Sequence, residues 1–99
     1  MAGYDEIKLD YGLAGDMAKT FQEGAEQLQD VMQEMTQLSN MLEEGALLGR
    51  GGVAFVDAIR NKLNPSISKL TEKFTELKGD VEGAIKDMQE ADKVSADQF

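Results

Sequence analysis

Residues 45–52 read Gly-Ala-Leu-Leu-Gly-Arg-Gly-Gly, and this glycine-rich stretch separates two long segments whose apolar residues recur at coiled-coil spacing. In both segments the apolar positions step by three and four residues in alternation. The first segment has Met17, Phe21, Gly24, Leu28, Val31, Met35, Leu38 and Leu42 at these positions. The second has Leu63, Ile67, Leu70, Phe74, Leu77, Val81, Ala84, Met88 and Ala91. The pattern predicts an all-α fold, an antiparallel two-helix hairpin with a hydrophobic seam along each arm.

Local signals place the boundaries of this single domain, which we expect to cover residues 1–99. Asp10 is a suitable N-cap, because its carboxylate can accept from the free N–H groups of the first helical turn. Gly45 can take the left-handed conformation that ends a helix. The expected elements are helix one over about 11–44, a turn over 45–52, helix two over about 53–92 and a flexible tail over 93–99.

Two positions inside the predicted helices need an explanation. Pro65 removes one backbone hydrogen bond and clashes with the carbonyl four residues earlier, at a cost of about 3 kcal/mol. Either helix two continues with a kink, or Asn64 caps a new helix that has Pro65 in its first turn. The apolar spacing is unbroken from Leu63 to Leu70, which favours a kink near Pro65. Gly24 lies on the seam, and we interpret it as a close approach of the neighbouring helix rather than as a hinge.

Both arms are apolar over more than a narrow stripe. Further apolar residues beside the two seams are Leu13, Met32, Met41, Val53, Phe55, Val56, Ile59 and Ile85. Because a lone hairpin covers only one side of each helix, we expect dimerisation into a four-helix bundle. The residues predicted to form the dimer or hairpin seam are Phe21, Leu28, Val31, Met35, Leu38, Leu42, Leu63, Ile67, Leu70, Phe74, Leu77 and Val81.

The formal net charge is −9, and most of it belongs to the first arm. Residues 1–44 hold ten acidic residues and two lysines, whereas residues 45–99 hold nine acidic and eight basic residues. An acidic surface repels phosphate backbones and anionic bilayers, so we expect no nucleic-acid partner. No run approaches the roughly 20 apolar residues that a membrane span needs, so we expect no membrane insertion. Most of these carboxylates are expected to solvate a helix face. Alternatively, the acidic arm faces a basic patch around Arg60, Lys62, Lys69 and Lys73 on the second arm or on a partner.

The chain has no Cys, His or Trp, which excludes disulfides, thiolate zinc sites and histidine acid–base chemistry. Candidate carboxylate pairs are Glu43–Glu44, Glu72–Glu76 and Asp87–Glu90, but a helical hairpin exposes such pairs and offers no pocket to shift their pKa values. We therefore expect no catalytic residue, no metal site, no cofactor and no enzymatic activity.

In length, helical pattern and turn, the chain resembles the Trp-X-Gly proteins, the small early-secreted-antigen-like substrates of type VII secretion. Their defining motif lies in the interhelical turn, where this chain has Gly49-Arg50-Gly51. The glycine of the motif is kept as Gly51, and Gly49 stands in place of the tryptophan. The family also carries a Tyr-x-x-x-Asp/Glu export signal at the end of its second helix. The matching stretch here keeps the acid as Asp92 and replaces the tyrosine with Met88.

The resemblance implies a non-enzymatic protein that is exported as a folded dimer with itself or with a related chain, through a machine driven by a secretion ATPase. It also implies secretion without a cleaved signal peptide from a cytoplasmic pool, and the first residues lack the basic and apolar regions of a leader. A different class of function also fits the helical pattern. The chain could be a cytoplasmic coiled-coil adaptor or assembly subunit that is never exported.

Overall fold

The computed structural model describes residues 10–46 and 49–97, which form three α-helices and two π-helical turns. In chain order these are α1 (Tyr11–Met41), a first π-helical turn (Leu42–Ala46), α2 (Arg50–Ala58), a second π-helical turn (Ile59–Leu63) and α3 (Asn64–Asp97). α1 packs along α3, so the predicted all-α hairpin is confirmed. The molecule measures 74 × 23 × 15 Å, which corresponds to a single layer two helices wide.

The start of α1 follows the local rule for helix N-termini. Asp10 has extended backbone angles, and its Oδ1 accepts a hydrogen bond of 3.0 Å from the backbone N–H of Leu13. The carbonyl of Asp10 accepts a bond of 2.8 Å from the N–H of Ala14. Both bonds satisfy donors that have no partner within the helix, and the prediction that Asp10 is the N-cap is confirmed.

The reversal of the chain depends on two glycines with positive φ. Gly45 has φ 115° inside the first π-helical turn, and Gly49 has φ 89° directly before α2. Residues that carry a Cβ atom rarely adopt these backbone angles, which is why glycine occupies both positions. α2 already begins at Arg50, inside the range expected for the turn. Leu47 and Leu48 of the turn lie outside the described residues.

The chain passes Pro65 through the second π-helical turn. The backbone N–H of Asn64 donates to the carbonyl of Ile59, five residues earlier. In such a π-helical turn each N–H bonds one residue further back than in an α-helix, so the carbonyls near the prolyl ring are displaced relative to it. Asn64, which precedes the proline, keeps helical backbone angles. α3 then continues to Asp97, so residues 93–97 of the predicted flexible tail are helical, and the last two residues lie outside the described part.

The contact between the arms is built largely from small side chains. The buried residues of α1 are Ala14, Ala18, Ala25 and Ser39. On the other arm Ile59, Ile67 and Thr71 are buried. The hydroxyl of Ser39 donates to the carbonyl of Met35 at 3.0 Å, and that of Thr71 donates to Ile67 at 2.8 Å. Because each hydroxyl is satisfied within its own helix, these polar residues can be buried where the helices pack together.

Gly24 lies against an aromatic side chain of the opposite arm. A Cβ atom at this position would lie 2.8 Å and 2.9 Å from Cε2 and Cδ2 of Phe74. The Phe74 ring also meets the Phe21 ring edge to face, with 5.8 Å between the centroids. The interpretation of Gly24 as a site of close approach is therefore confirmed.

Candidate interaction surfaces

Two overlapping heptad registers run along each arm, and one of them lies deeper in the contact with the other arm. On α1 the half-buried or buried positions continue at alternating steps of three and four from Tyr11 through Ala14 and Ala18 to Ser39 and Leu42. The predicted seam shares every second position of this series. Its other positions come one residue earlier, which is about 100° around the helix. Of these positions, Gly24 lies against Phe74 of the opposite arm and Leu38 is half-buried, whereas Met17 and Val31 are exposed to one side of the contact.

The predicted seam residues accordingly occupy different environments. Ile67 is buried. The half-buried members are Phe21, Leu28, Met35, Leu38, Leu42, Phe74, Leu77 and Val81. Val31, Leu63 and Leu70 are exposed. Most of the predicted seam is therefore at least half-buried in the single hairpin, and Phe74 contacts Phe21 and Gly24 across the arms, whereas three members remain available to a partner.

One face of the layer carries a row of apolar side chains that the hairpin leaves uncovered. We call this row the outer stripe. It consists of Met17, Val31, Leu38, Leu63, Leu70 and Leu77. Met17, Val31, Leu63 and Leu70 remain between 40% and 47% exposed. The members on each arm fall on a seven-residue spacing, with Phe74 over Gly24 in the gap between Met17 and Val31. A continuous apolar face of this kind is typical of a surface that binds another protein.

The sequence prediction missed the small residues that pack between the arms. Ala18, Ala25 and Ser39 each directly follow a predicted seam residue on α1, and Thr71 does so on α3. On α1 the available signal was Ala18, Ala25 and Ser39 on one seven-residue spacing beside the apolar positions. Small residues let helices approach closely, and their regular spacing therefore marks the inner face.

The turn motif lies at the beginning of α2. Gly49, Arg50 and Gly51 are all exposed, and the carbonyl of Gly49 accepts a bond of 3.2 Å from the N–H of Val53. Beside them is an open depression of about 680 Å³ that also includes Asp57. Val53 is 72% exposed, so this end of the hairpin presents apolar surface as well.

The export-signal-like residues lie at the opposite end of the molecule. Met88 is half-buried and Asp92 is exposed. The hydroxyl of Tyr11, the first residue of α1, donates a hydrogen bond to Oδ2 of Asp92 near the end of α3. This bond to a carboxylate raises the pKa of Tyr11 above its ordinary value. Tyr11 and Asp92 lie 81 positions apart along the chain, so no local sequence motif connects them.

A cross-arm ion pair lies near the turn. The Arg60 guanidinium bonds both carboxylate oxygens of Glu43 and also donates to Oδ1 of Asn40 at 3.2 Å. The hydrogen bond from Arg60 is the main reason that the pKa of Glu43 is lowered. Of the predicted basic patch, Arg60 thus meets the acidic arm. Lys73 instead pairs with Glu76 of its own helix at 3.2 Å.

Residues 10–46 and 49–97 contain neither a membrane span nor a metal-binding cluster. None of the helices there combines the length and apolarity that crossing a bilayer requires. No cluster of three or more acidic residues in that part of the chain is arranged to hold a metal ion.

The described residues thus form a two-helix hairpin with partly exposed apolar side chains along one face. The sequence model of the family WXG100, "Proteins of 100 residues with WXG", matches residues 6–93, which is most of the chain. The chain belongs to this family, and its membership associates the protein with type VII secretion. No curated protein and no solved structure matches the chain significantly.

Proposed function

We propose that this protein is a non-enzymatic substrate or substrate-pairing protein of a type VII secretion machine, and that it acts as a dimer formed through the outer stripe. Membership of the WXG100 family supports the association with secretion. The observation that carries the pairing is the outer stripe, because it presents large apolar side chains on one face of a layer only 15 Å thick.

The size of this face is suited to a stable partner. Met17 and Leu38 are 21 residues apart on α1, which corresponds to about 32 Å of helix. The layer is 23 Å wide, so a partner hairpin that lies on this face could contact both arms along that length. The partner is a second copy of this chain or a related chain of the same family. Covering the face would complete a four-helix bundle.

The pairing face and the export-signal-like residues lie on different parts of the molecule. We propose that Asp92 is recognised by the secretion ATPase, with Tyr11 holding its carboxylate in position across the open end of the hairpin. In the family motif a tyrosine accompanies the acid, and Met88 replaces that tyrosine here. Tyr11 would instead supply a phenol beside Asp92 from the other arm. Export then proceeds from a cytoplasmic pool without a cleaved leader.

Export of the wild type and two double variants from a host with a type VII machine tests this proposal. The double variant Val31→Glu/Leu70→Glu removes apolar surface from the outer stripe. The control Gln29→Glu/Thr75→Glu makes the same change of net charge at exposed positions outside the stripe, away from the turn motif and from Asp92. We expect the control and the wild type in the culture medium and the stripe variant only inside the cells. Equal export of stripe variant and control would contradict a paired substrate.

The recognition of Asp92 is tested separately. Asp92→Asn keeps the size of the side chain and removes its charge, so it should reduce export while circular dichroism and dimerisation stay unchanged. If the wild type is not exported under any condition and forms a stable intracellular complex, the result would instead support the cytoplasmic adaptor.

A further inference from the structure

The face of the layer opposite the outer stripe carries a groove between α1 and α3. Three consecutive residues of α1 show the geometry. Met17 belongs to the outer stripe, Ala18 is buried between the arms, and Lys19 lies on the other side. On α3, Ile85 is half-buried and Lys86 lies on the groove side. Because successive helical residues are about 100° apart, the groove opens away from the outer stripe and remains free when the stripe is covered.

The floor of the groove is apolar and open. Ala18 and Ile85 contribute to it, and the groove has a volume of about 470 Å³. A Cβ atom built on Gly15 would meet no atom within 4 Å, so the space above this glycine is empty of protein atoms. The depression results from small residues on α1, because no large side chain closes the gap between the two helices here.

The rims of the groove are basic in a chain whose net charge is −9. Lys19 is the sole lysine or arginine of α1, and Lys78 and Lys86 line the groove from α3. The lining contains a single carboxylate, that of Glu82, which pairs with Lys78 at 3.6 Å. Beside the lining, Glu23 also lies 3.9 Å from Lys19. Three lysines and one carboxylate still give the lining itself an excess of positive charge over an apolar floor.

We propose that this groove binds a short acidic amphipathic segment of a partner protein. Carboxylates on the two edges of such a segment would pair with Lys19 on one rim and with Lys78 and Lys86 on the other. Its apolar side would cover Ala18 and Ile85. The net charge of the chain disfavours extended polyanions such as nucleic acid or an anionic bilayer, because these would also meet the acidic surface of α1. A short segment confined to the groove avoids that repulsion. The proposal is independent of pairing through the outer stripe.

The probe is a synthetic helical peptide of about 12 residues, or about 18 Å, with leucines on one face and glutamates on the other. A second peptide has lysines in place of the glutamates. Binding to the full chain is followed by NMR amide shifts at about 0.01 M and about 0.15 M ionic strength, between which the screening length falls from about 30 to about 8 Å. We expect the acidic peptide to bind more tightly at low ionic strength and to shift the amides of Ala18 and Ile85.

Two matched pairs of variants locate the site. Lys78→Glu/Lys86→Glu should weaken binding at least about tenfold, because like charges then face each other across the groove. Lys69→Glu/Lys73→Glu makes the same change of net charge on the same helix outside the groove, and it should weaken binding much less. Gly15→Leu fills the groove without altering charge and should abolish binding, whereas Gly79→Leu, also in open space, should not.

Three results would overturn the proposal. The first is no binding of the acidic peptide at low ionic strength. The second is equal binding of the lysine peptide. The third is a set of amide shifts confined to the outer stripe. If Gly15→Leu does not fold by circular dichroism, the charge variants alone decide the outcome.

Discussion

The close contact between Gly24 and Phe74 gives the sharpest prediction about the hairpin itself. Replacing a glycine inside a helix with alanine ordinarily stabilises the folded state by about 1 kcal/mol. At position 24 the new methyl group would lie 2.8 Å from the Phe74 ring. Overpacking of this kind costs about 1–3 kcal/mol. We therefore expect Gly24→Ala to leave stability unchanged or to lower it by up to about 2 kcal/mol.

Gly15→Ala is the matched control on the same helix, because a methyl group there meets open space. Only the gain in helix propensity remains, so this variant should be more stable than the wild type by about 1 kcal/mol. For a domain of this size that gain raises Tm by about 4–8 °C. The free energy of unfolding is measured by urea denaturation, at one fixed protein concentration because a dimer's stability depends on concentration.

The Phe74→Leu background isolates the clash. With the ring removed, Gly24→Ala should show the same gain as Gly15→Ala, which gives a coupling energy of about 1–3 kcal/mol between positions 24 and 74. If Gly24→Ala raises the free energy of unfolding of the wild type as much as Gly15→Ala does, the ring does not occupy this space. The close packing of the two arms described above would then be wrong.

Three further predictions concern single polar contacts. Asp10→Ala should lower the free energy of unfolding by about 1 kcal/mol through loss of the N-cap, and Asp10→Asn should retain most of it; equal losses would argue against capping. The raised pKa of Tyr11 contributes stability below the ordinary tyrosine pKa, and this contribution is lost as pH rises through the folded-state pKa. Phenolate absorbance in a background without the other tyrosine should therefore show a lower pKa for Tyr11 after Asp92→Asn, and an unchanged titration would disprove the contact. The lowered pKa of Glu43 contributes stability above the ordinary glutamate pKa that is lost as pH falls through the folded-state value. Glu43→Gln should hence flatten the loss of stability in acid, as measured by urea unfolding at several acidic pH values, whereas a parallel pH profile would show that the Arg60 pair does not contribute.

Features that depend on local rules were accessible from the sequence. Asp10 caps α1 because of its own side chain, and Gly45 adopts positive φ because it has no Cβ. The hairpin follows from two apolar heptads separated by glycines. Gly24 could be interpreted correctly because a seam position without a side chain leaves room for a neighbour.

Which residues of the two arms face each other could not be predicted from the sequence in the same way. Large apolar residues such as Val31 and Leu70 dominate the hydrophobic pattern, yet they lie outside the contact. Ser39 and Thr71 can be buried in the contact between the arms because their hydroxyls donate to carbonyls of their own helices. A hydropathy scale scores both residues as polar and takes no account of these hydrogen bonds. The pairing of Tyr11 with Asp92 depends on the register between the arms too, so it could not be inferred from spacing along the chain.

Pairing through the outer stripe is the central claim, and sedimentation equilibrium of purified protein at micromolar concentration tests it most directly. We expect the wild type and the Gln29→Glu/Thr75→Glu control to have twice the mass of one chain, alone or after mixing with a related chain of the family. The Val31→Glu/Leu70→Glu variant should stay a single chain under the same conditions. A wild-type protein that is folded and monomeric both alone and in such mixtures, or a stripe variant that still pairs like the control, would contradict the claim.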